Sequence, residues 1–157
     1  MQITIRGLEQ KDIVTVLPMI QKMFLEHDLA EPDLFSPNSI STEKIQKYLE
    51  EAITDKDCKV FVALIDQEIV GTIRATIKDA PSFYKDNKLG YTDDLVVKEE
   101  HRRNGIGGEL INKTIEYYKS KGVSLIESKI YEFNKPSQAL SEKNGFKKTF
   151  SYFYKRI

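Results

Sequence analysis

The chain has 157 residues, with 24 Lys+Arg balancing 24 Asp+Glu and a single cysteine. That length supports one self-sufficient core, the lone thiol excludes a disulfide framework or a cysteine-rich zinc site, and zero net charge argues against a general nucleic-acid binder. No apolar run approaches the roughly 18 residues that span a bilayer, and Met1-Gln2-Ile3-Thr4 does not resemble a secretory leader, so a cytoplasmic location with no membrane partner is expected.

Gln2–Arg6 alternates around Ile3 and Ile5, the period of a strand. Asp12 stands before a helical stripe of Ile13, Leu17, Ile20 and Phe24 and is placed to cap it. Pro18 falls inside that stripe, so the helix is either kinked there or begins near Thr15. Residues 30–39, with Pro32 and Pro37, read as a loop, and Ser41 or Thr42 opens a second helix with Ile45, Tyr48, Leu49 and Ala52 facing inward. Lys59–Ile65 and Ile69–Ile77 flank Asp66-Gln67-Glu68 and read as a hairpin. After the loop Ala80–Lys88, a strand runs through Tyr91–Val97.

The loop Lys98–Asn104 then leads into Gly105-Ile106-Gly107-Gly108 and a helix bearing Leu110, Ile111, Ile115 and Tyr118, closed at Gly122. Leu125–Tyr131 is another strand, and Pro136 is placed to start a last helix that Gly145 follows. Phe146–Arg156 alternates aromatic and polar residues and reads as the final strand. The predicted order is β-α-α-β-β-β-α-β-α-β, an antiparallel meander followed by crossover helices in one α/β domain over residues 1–157.

Arg102-Arg103-Asn104-Gly105-Ile106-Gly107-Gly108 follows a strand and opens a helix. Free amides at a helix start, with glycines that let a ligand approach closely, make an anion site, and the two arginines add positive charge. A Walker loop is excluded because no Gly-Lys-Ser/Thr follows, and Leu110 stands where a dinucleotide loop needs its third glycine.

With Leu95-x-Val97 before this loop, Arg102-x-x-Gly105-x-Gly107 within it, then Asn134 and Gly145-Phe146, the sequence resembles the GNAT superfamily of N-acetyltransferases over nearly its whole length. The resemblance implies a mixed, mostly antiparallel central sheet flanked by about four helices, and acetyl-CoA as cosubstrate with no metal. It implies that the amides of Arg103, Asn104, Gly105, Ile106, Gly107 and Gly108, beside Arg102, hold the pyrophosphate. The main chain of Leu95, Val96 and Val97 would pair with the pantetheine arm like an added strand, one amide facing the thioester oxygen. Asn134 falls on the family's usual contact to the CoA arm.

Acetylating an amine requires its lone pair, and an amine of pKa about 10.4 is almost wholly protonated at neutral pH, so a base is needed. Asp93 and Asp94 immediately precede Leu95 and resemble the Glu-Asp pair before the same strand motif in spermidine/spermine acetyltransferases. Strand parity sends adjacent side chains to opposite faces unless a bulge intervenes. Asp94 is favoured as base or amine-orienting carboxylate, with Asp93 next. Ser141 stands where the family often has a tyrosine that protonates the departing thiolate, which leaves that step to water or to a tyrosine such as Tyr131, Tyr152 or Tyr154. Cys58 reads as a small strand-end hydrophobe, and His27 and His101 as surface residues.

Residues 1–97 carry 11 Lys+Arg against 17 Asp+Glu, and residues 98–157 carry 13 against 7. That asymmetry fits an anionic cosubstrate on the second half and a cationic acceptor near the acidic stretch Glu26 to Asp33, or simply a mixed surface. The expected function is direct transfer of an acetyl group from acetyl-CoA to a small cationic amine or polyamine. A protein N-terminus or lysine is the second acceptor class, and a low-turnover acyl-CoA sensor or interaction module is the alternative that Ser141 motivates. The aromatic alternation of the last segment also fits a homodimer.

Overall fold

The computed structural model describes residues 2–157. Five strands lie in chain order across one sheet: β1 (Thr4–Gly7), β2 (Cys58–Ile65), β3 (Glu68–Asp79), β4 (Lys88–Val97) and β5 (Leu125–Glu127). The first three pairings are antiparallel and the β4–β5 pairing is parallel. The β2–β3 turn needs only Asp66 and Gln67, both left-handed at φ 49° and 69°, the geometry whose twist matches a two-residue hairpin.

The nearly unbroken apolar run of β2 follows from its cover on both faces. Val60, Val62 and Leu64 pack with α1 (Ile13–Ala30) and α2 (Thr42–Thr54). Phe61 and Ala63 pack on the other side against Ile106, Leu110, Ile111 and Tyr118 of α3 (Ile106–Ser120). A fourth helix, α4 (Lys135–Lys143), adds Leu140 to that second layer. Among the described residues no helix is long and apolar enough to cross a membrane.

Four expectations are corrected. Helix α1 starts at Ile13 and not near Thr15, and it runs through Pro18, whose missing N–H leaves the carbonyl of the exposed Val14 without its ladder bond. Asp12 does not cap it with its side chain; the buried carboxylate instead takes Arg6 at 2.5 and 3.0 Å and the Glu9 amide at 2.9 Å. That ion pair holds Asp12 below the usual carboxylate range. The strand expected over Leu125–Tyr131 stops at Glu127.

The fourth correction is the last segment: Phe146–Arg156 forms no strand. Alternation specifies which side chains share a face, but a strand also needs a neighbour to satisfy its backbone, and β5 is too short to offer one. Side chains anchor the segment instead. Lys148 reaches Glu132 at 3.3 Å, Lys129 lies 4.6 Å over the Tyr152 ring, Tyr154 donates to Glu31 at 3.4 Å and Arg156 donates to the Asp33 carbonyl. Phe150 and Phe153 stay exposed.

Gly90 fixes where the sheet meets α3. A Cβ there would lie 2.8 Å from the Tyr118 ring, and Tyr118 is fully buried with its hydroxyl on the Tyr91 carbonyl at 2.9 Å. Gly90 also pairs with Ile126 in the short parallel ladder. Gly90→Ala is therefore expected to destabilise the fold by about 1–3 kcal/mol through overpacking, read as a fall in the denaturation midpoint; an unchanged midpoint would contradict this packing.

Candidate active site

Strands β4 and β5 pair only over Leu89–Tyr91 and Leu125–Glu127. From Thr92 to Val97 the edge of β4 facing β5 has no strand partner among the described residues. Its other edge carries a bulge: Thr72 opposes Val96 but Arg74 opposes Asp93, so Asp94 and Leu95 together face Ile73. Asp94 takes up the extra residue at φ 50°. A bulge of this kind breaks strict alternation and re-aims side chains.

The consequence is that both Asp93 and Asp94 line one cavity of about 290 Å³. They are not equivalent within it. The Tyr48 hydroxyl, on α2, donates to Asp94 and accepts from Arg74 Nη1 at 2.5 Å. The Arg74 guanidinium also lies 4.5 Å over the Tyr48 ring, and its Nε donates to the buried Cys58 Sγ at 3.3 Å. Asp93 Oδ1, by contrast, is buried with no hydrogen-bond partner among the described residues.

Electrostatics follows from this arrangement. Burial, then the charge of Asp94, pushes Asp93 up to about 7, against the opposing fields of Arg74 and Lys78. Burial also raises Asp94, while the Tyr48 hydrogen bond and the Arg74 charge act to keep it ionised. Burial and the Asp94 carboxylate push the Tyr48 phenol far up, so it remains a donor. Two carboxylates so close titrate as a pair that holds one proton readily near neutral pH.

The glycine loop lies beyond the far end of β4. Gly105 precedes α3 in the left-handed region at φ 81°, with no side chain capping the helix, and Arg103 is left-handed at φ 64°. The amides of Ile106, Gly107 and Gly108 are those that no helix can satisfy within itself. Arg102, Arg103 and Asn104 are exposed. Arg102 Nε donates to the Val97 carbonyl at 3.1 Å, tying the loop to the strand end. A Cβ at Gly107 would lie 2.8 Å from Leu140, so this glycine lets α4 approach α3.

Helix α4 brings Asn134, Ser137 and Ser141 to the cavity wall. Asn134 also caps α4, its Oδ1 accepting from the Ser137 amide at 3.2 Å. Of the tyrosines named from sequence, Tyr131 lines the cavity, whereas Tyr152 and Tyr154 do not. Tyr91 joins it there, its phenol pushed up to about 12, chiefly by burial. His27 is not a surface residue: it lines the same wall with Phe35 and Tyr131, its Nδ1 meets the Met23 carbonyl at 2.7 Å, and its ring packs edge-on against Phe35, Tyr131 and Phe133. Tyr48, Arg74 and Lys129 were not singled out in sequence. Arg74 carries a signal, a lone charge in the otherwise uncharged Ile69–Ile77; Tyr48 is hidden among core positions of its helix.

The model of the Acetyltransferase (GNAT) family matches residues 24–146. The chain belongs to the GNAT family. The SPbeta prophage-derived uncharacterized N-acetyltransferase YokL of Bacillus subtilis (strain 168) is 26% identical over 147 residues, covering 93% of this chain and 76% of that protein. A predicted acetyltransferase from Clostridium acetobutylicum, solved with acetyl-CoA, shares the fold with a TM-score of 0.77 and 17% identity over 99% of this chain and 96% of that one. AAC(6')-Iy in complex with the bisubstrate analogue CoA-S-monomethyl-acetylneamine shares it with a TM-score of 0.82 and 16% identity over 100% and 99%. This GNAT chain is thus an N-acetyltransferase by family, and the expected mixed, mostly antiparallel sheet with four helices is the fold observed. Among the described residues no group of three or more His, Cys, Asp or Glu is arranged to hold a metal.

Proposed function

We propose that residues 1–157 act as one unit that transfers an acetyl group from acetyl-CoA to a small primary amine arriving as its ammonium ion. The observation that carries the reading is the β4 bulge, which turns a buried carboxylate pair into the cavity beside an unpaired strand edge. An ammonium is drawn to such a pair, and a carboxylate poised near neutrality is suited to remove its proton.

Acetyl-CoA supplies an activated acetyl thioester. The residues present fit it: first-turn amides at a left-handed glycine cap, flanked by exposed Arg102 and Arg103, suit a pyrophosphate. The amides of Arg103, Asn104, Gly105, Ile106, Gly107 and Gly108 are assigned to it. Leu95, Val96 and Val97 offer main-chain groups to the pantetheine arm, one amide facing the thioester oxygen. Asn134 contacts the arm through its amide nitrogen while its oxygen caps α4.

Asp93 accepts the ammonium proton, and Asp94, whose carboxylate the Tyr48 hydroxyl holds, orients the nitrogen. This reverses the preference for Asp94 as base that the sequence alone gives. Ser141 and the nearby Tyr131 hydroxyl are the proton sources closest in role to the family tyrosine. A thiol of pKa about 8.5 leaves without full protonation, so the serine lowers the rate rather than blocking the reaction. The test is release of free CoA thiol from acetyl-CoA with simple primary amines. Saturable, amine-dependent release is expected; binding of acetyl-CoA with no amine dependence would favour a sensor module instead.

A further inference from the structure

A second cavity, of about 400 Å³, lies between α1, residues 31–40 and α2, next to the carboxylate cavity. Its apolar walls are Phe24, Leu34, Phe35, Ile40, Ile45 and Tyr48. Phe24 and Phe35 line both cavities, and the Tyr48 ring lines the second while its hydroxyl binds Asp94. An amine seated on the carboxylate pair lies beside the Phe24 and Phe35 side chains that also wall this apolar chamber.

The charges around the chamber decide what it takes. Its ionisable groups are the Tyr48 phenol, committed to Asp94, and Lys44, whose Nζ reaches the Asn38 carbonyl at 3.5 Å. No carboxylate lines it among the described residues, and Glu26, Asp28, Glu31 and Asp33 line neither cavity. A second ammonium entering here would lose water and find only the Ser36 and Ser39 hydroxyls and the like charge of Lys44, with no carboxylate to pair it, whereas hydrocarbon gains by leaving water.

We infer that the acceptor is a primary amine with one cationic end and an apolar alkyl or aryl tail, the tail occupying this chamber, rather than a polyamine. This deepens the acetyl-transfer reading and rests on it.

The experiment compares methylamine, hexylamine and 1,6-diaminohexane as acceptors by initial rates of CoA release, for the native chain and for Ser39→Asp. Ser39 lines the chamber, is exposed, and lies outside the carboxylate site. Each well-buried methylene is worth about fourfold, so hexylamine is expected to exceed both other amines by about tenfold or more in kcat/KM. Ser39→Asp is expected to narrow or reverse the gap between hexylamine and the diamine. A diamine equal to or better than hexylamine in the native chain, or a ratio that Ser39→Asp does not move, overturns the inference while leaving acetyl transfer intact. Turnover of methylamine alone does the same. No turnover with any of the three overturns the transfer reading, and this inference with it.

Discussion

Asp93→Asn is expected to lower kcat/KM for the amine by about 10²–10⁴-fold, the usual worth of a general base. It should also abolish the rise in rate expected near pH 7, since Asp93 is the proposed base and burial and the Asp94 charge push it up to about 7. Asp94→Asn gives a different signature. Removing the neighbouring charge eases ionisation of Asp93, so the limb survives but moves to lower pH, and loss of the orienting carboxylate raises KM. A carboxylate with a raised pKa also has a stability consequence. Asp93 binds its proton more tightly in the folded chain than in the unfolded one. Its contribution to stability is complete below the ordinary carboxylate range and is lost as pH rises through about 7. Asp93→Asn should therefore be more stable than the native chain at pH 8 while being far less active. Full activity with an unchanged pH profile in Asp93→Asn would overturn its assignment as base.

Arg74→Met carries the second large effect, on the fold rather than on turnover alone. Arg74 is half-buried, its field acts on both carboxylates, and its guanidinium donates to Tyr48 and Cys58. Methionine fills similar space but removes the one arginine whose field acts on both acidic groups, leaving Lys78 to act on Asp93. Removing a half-buried charge that acts on two buried carboxylates through Tyr48 and through space is expected to cost about 1–3 kcal/mol, less than breaking a buried ion pair in direct contact. The sign with pH is defined. Without Arg74 both carboxylates hold protons still more tightly in the folded state, so the deficit is largest at pH 8 and shrinks toward pH 5 as they become neutral. Denaturant titrations at the two pH values measure this directly. An equal loss at both would mean that Arg74 acts through packing, not charge. Arg74→Lys should recover part of the deficit, because it restores the charge without the planar fork that serves Tyr48 and Cys58 together.

Much of this was legible in the chain because periodicity and punctuation are local. The strands around Asp66-Gln67, the helix after Gly105 and the break at Gly122 are written in residue types whose preferences survive folding. Asp93 and Asp94 were visible as chemistry, but their common orientation depends on a one-residue mismatch against β3, which belongs to the pairing and not to either strand alone. Tyr48 was read as core, correctly for its ring; only the crossing of α2 over the bulge gives its hydroxyl a partner. His27 looked like a surface residue because its aromatic neighbours, Phe35, Tyr131 and Phe133, come from distant segments. The last segment failed in the opposite direction. Its alternation is as good as that of any strand here, and no neighbouring edge receives it.

Direct acetyl transfer from acetyl-CoA to an amine on this carboxylate pair can be followed with a labelled acetyl group. With acetyl-CoA carrying carbon-13 in the acetyl group and hexylamine as acceptor, the account predicts an N-acetylhexylamine carbonyl resonance that grows in step with CoA release. The native chain should produce it, Asp93→Asn should slow it by about 10²–10⁴-fold, and no label should accumulate on the protein. Label retained on the protein, or left on CoA while the amine stays unmodified, would contradict the account.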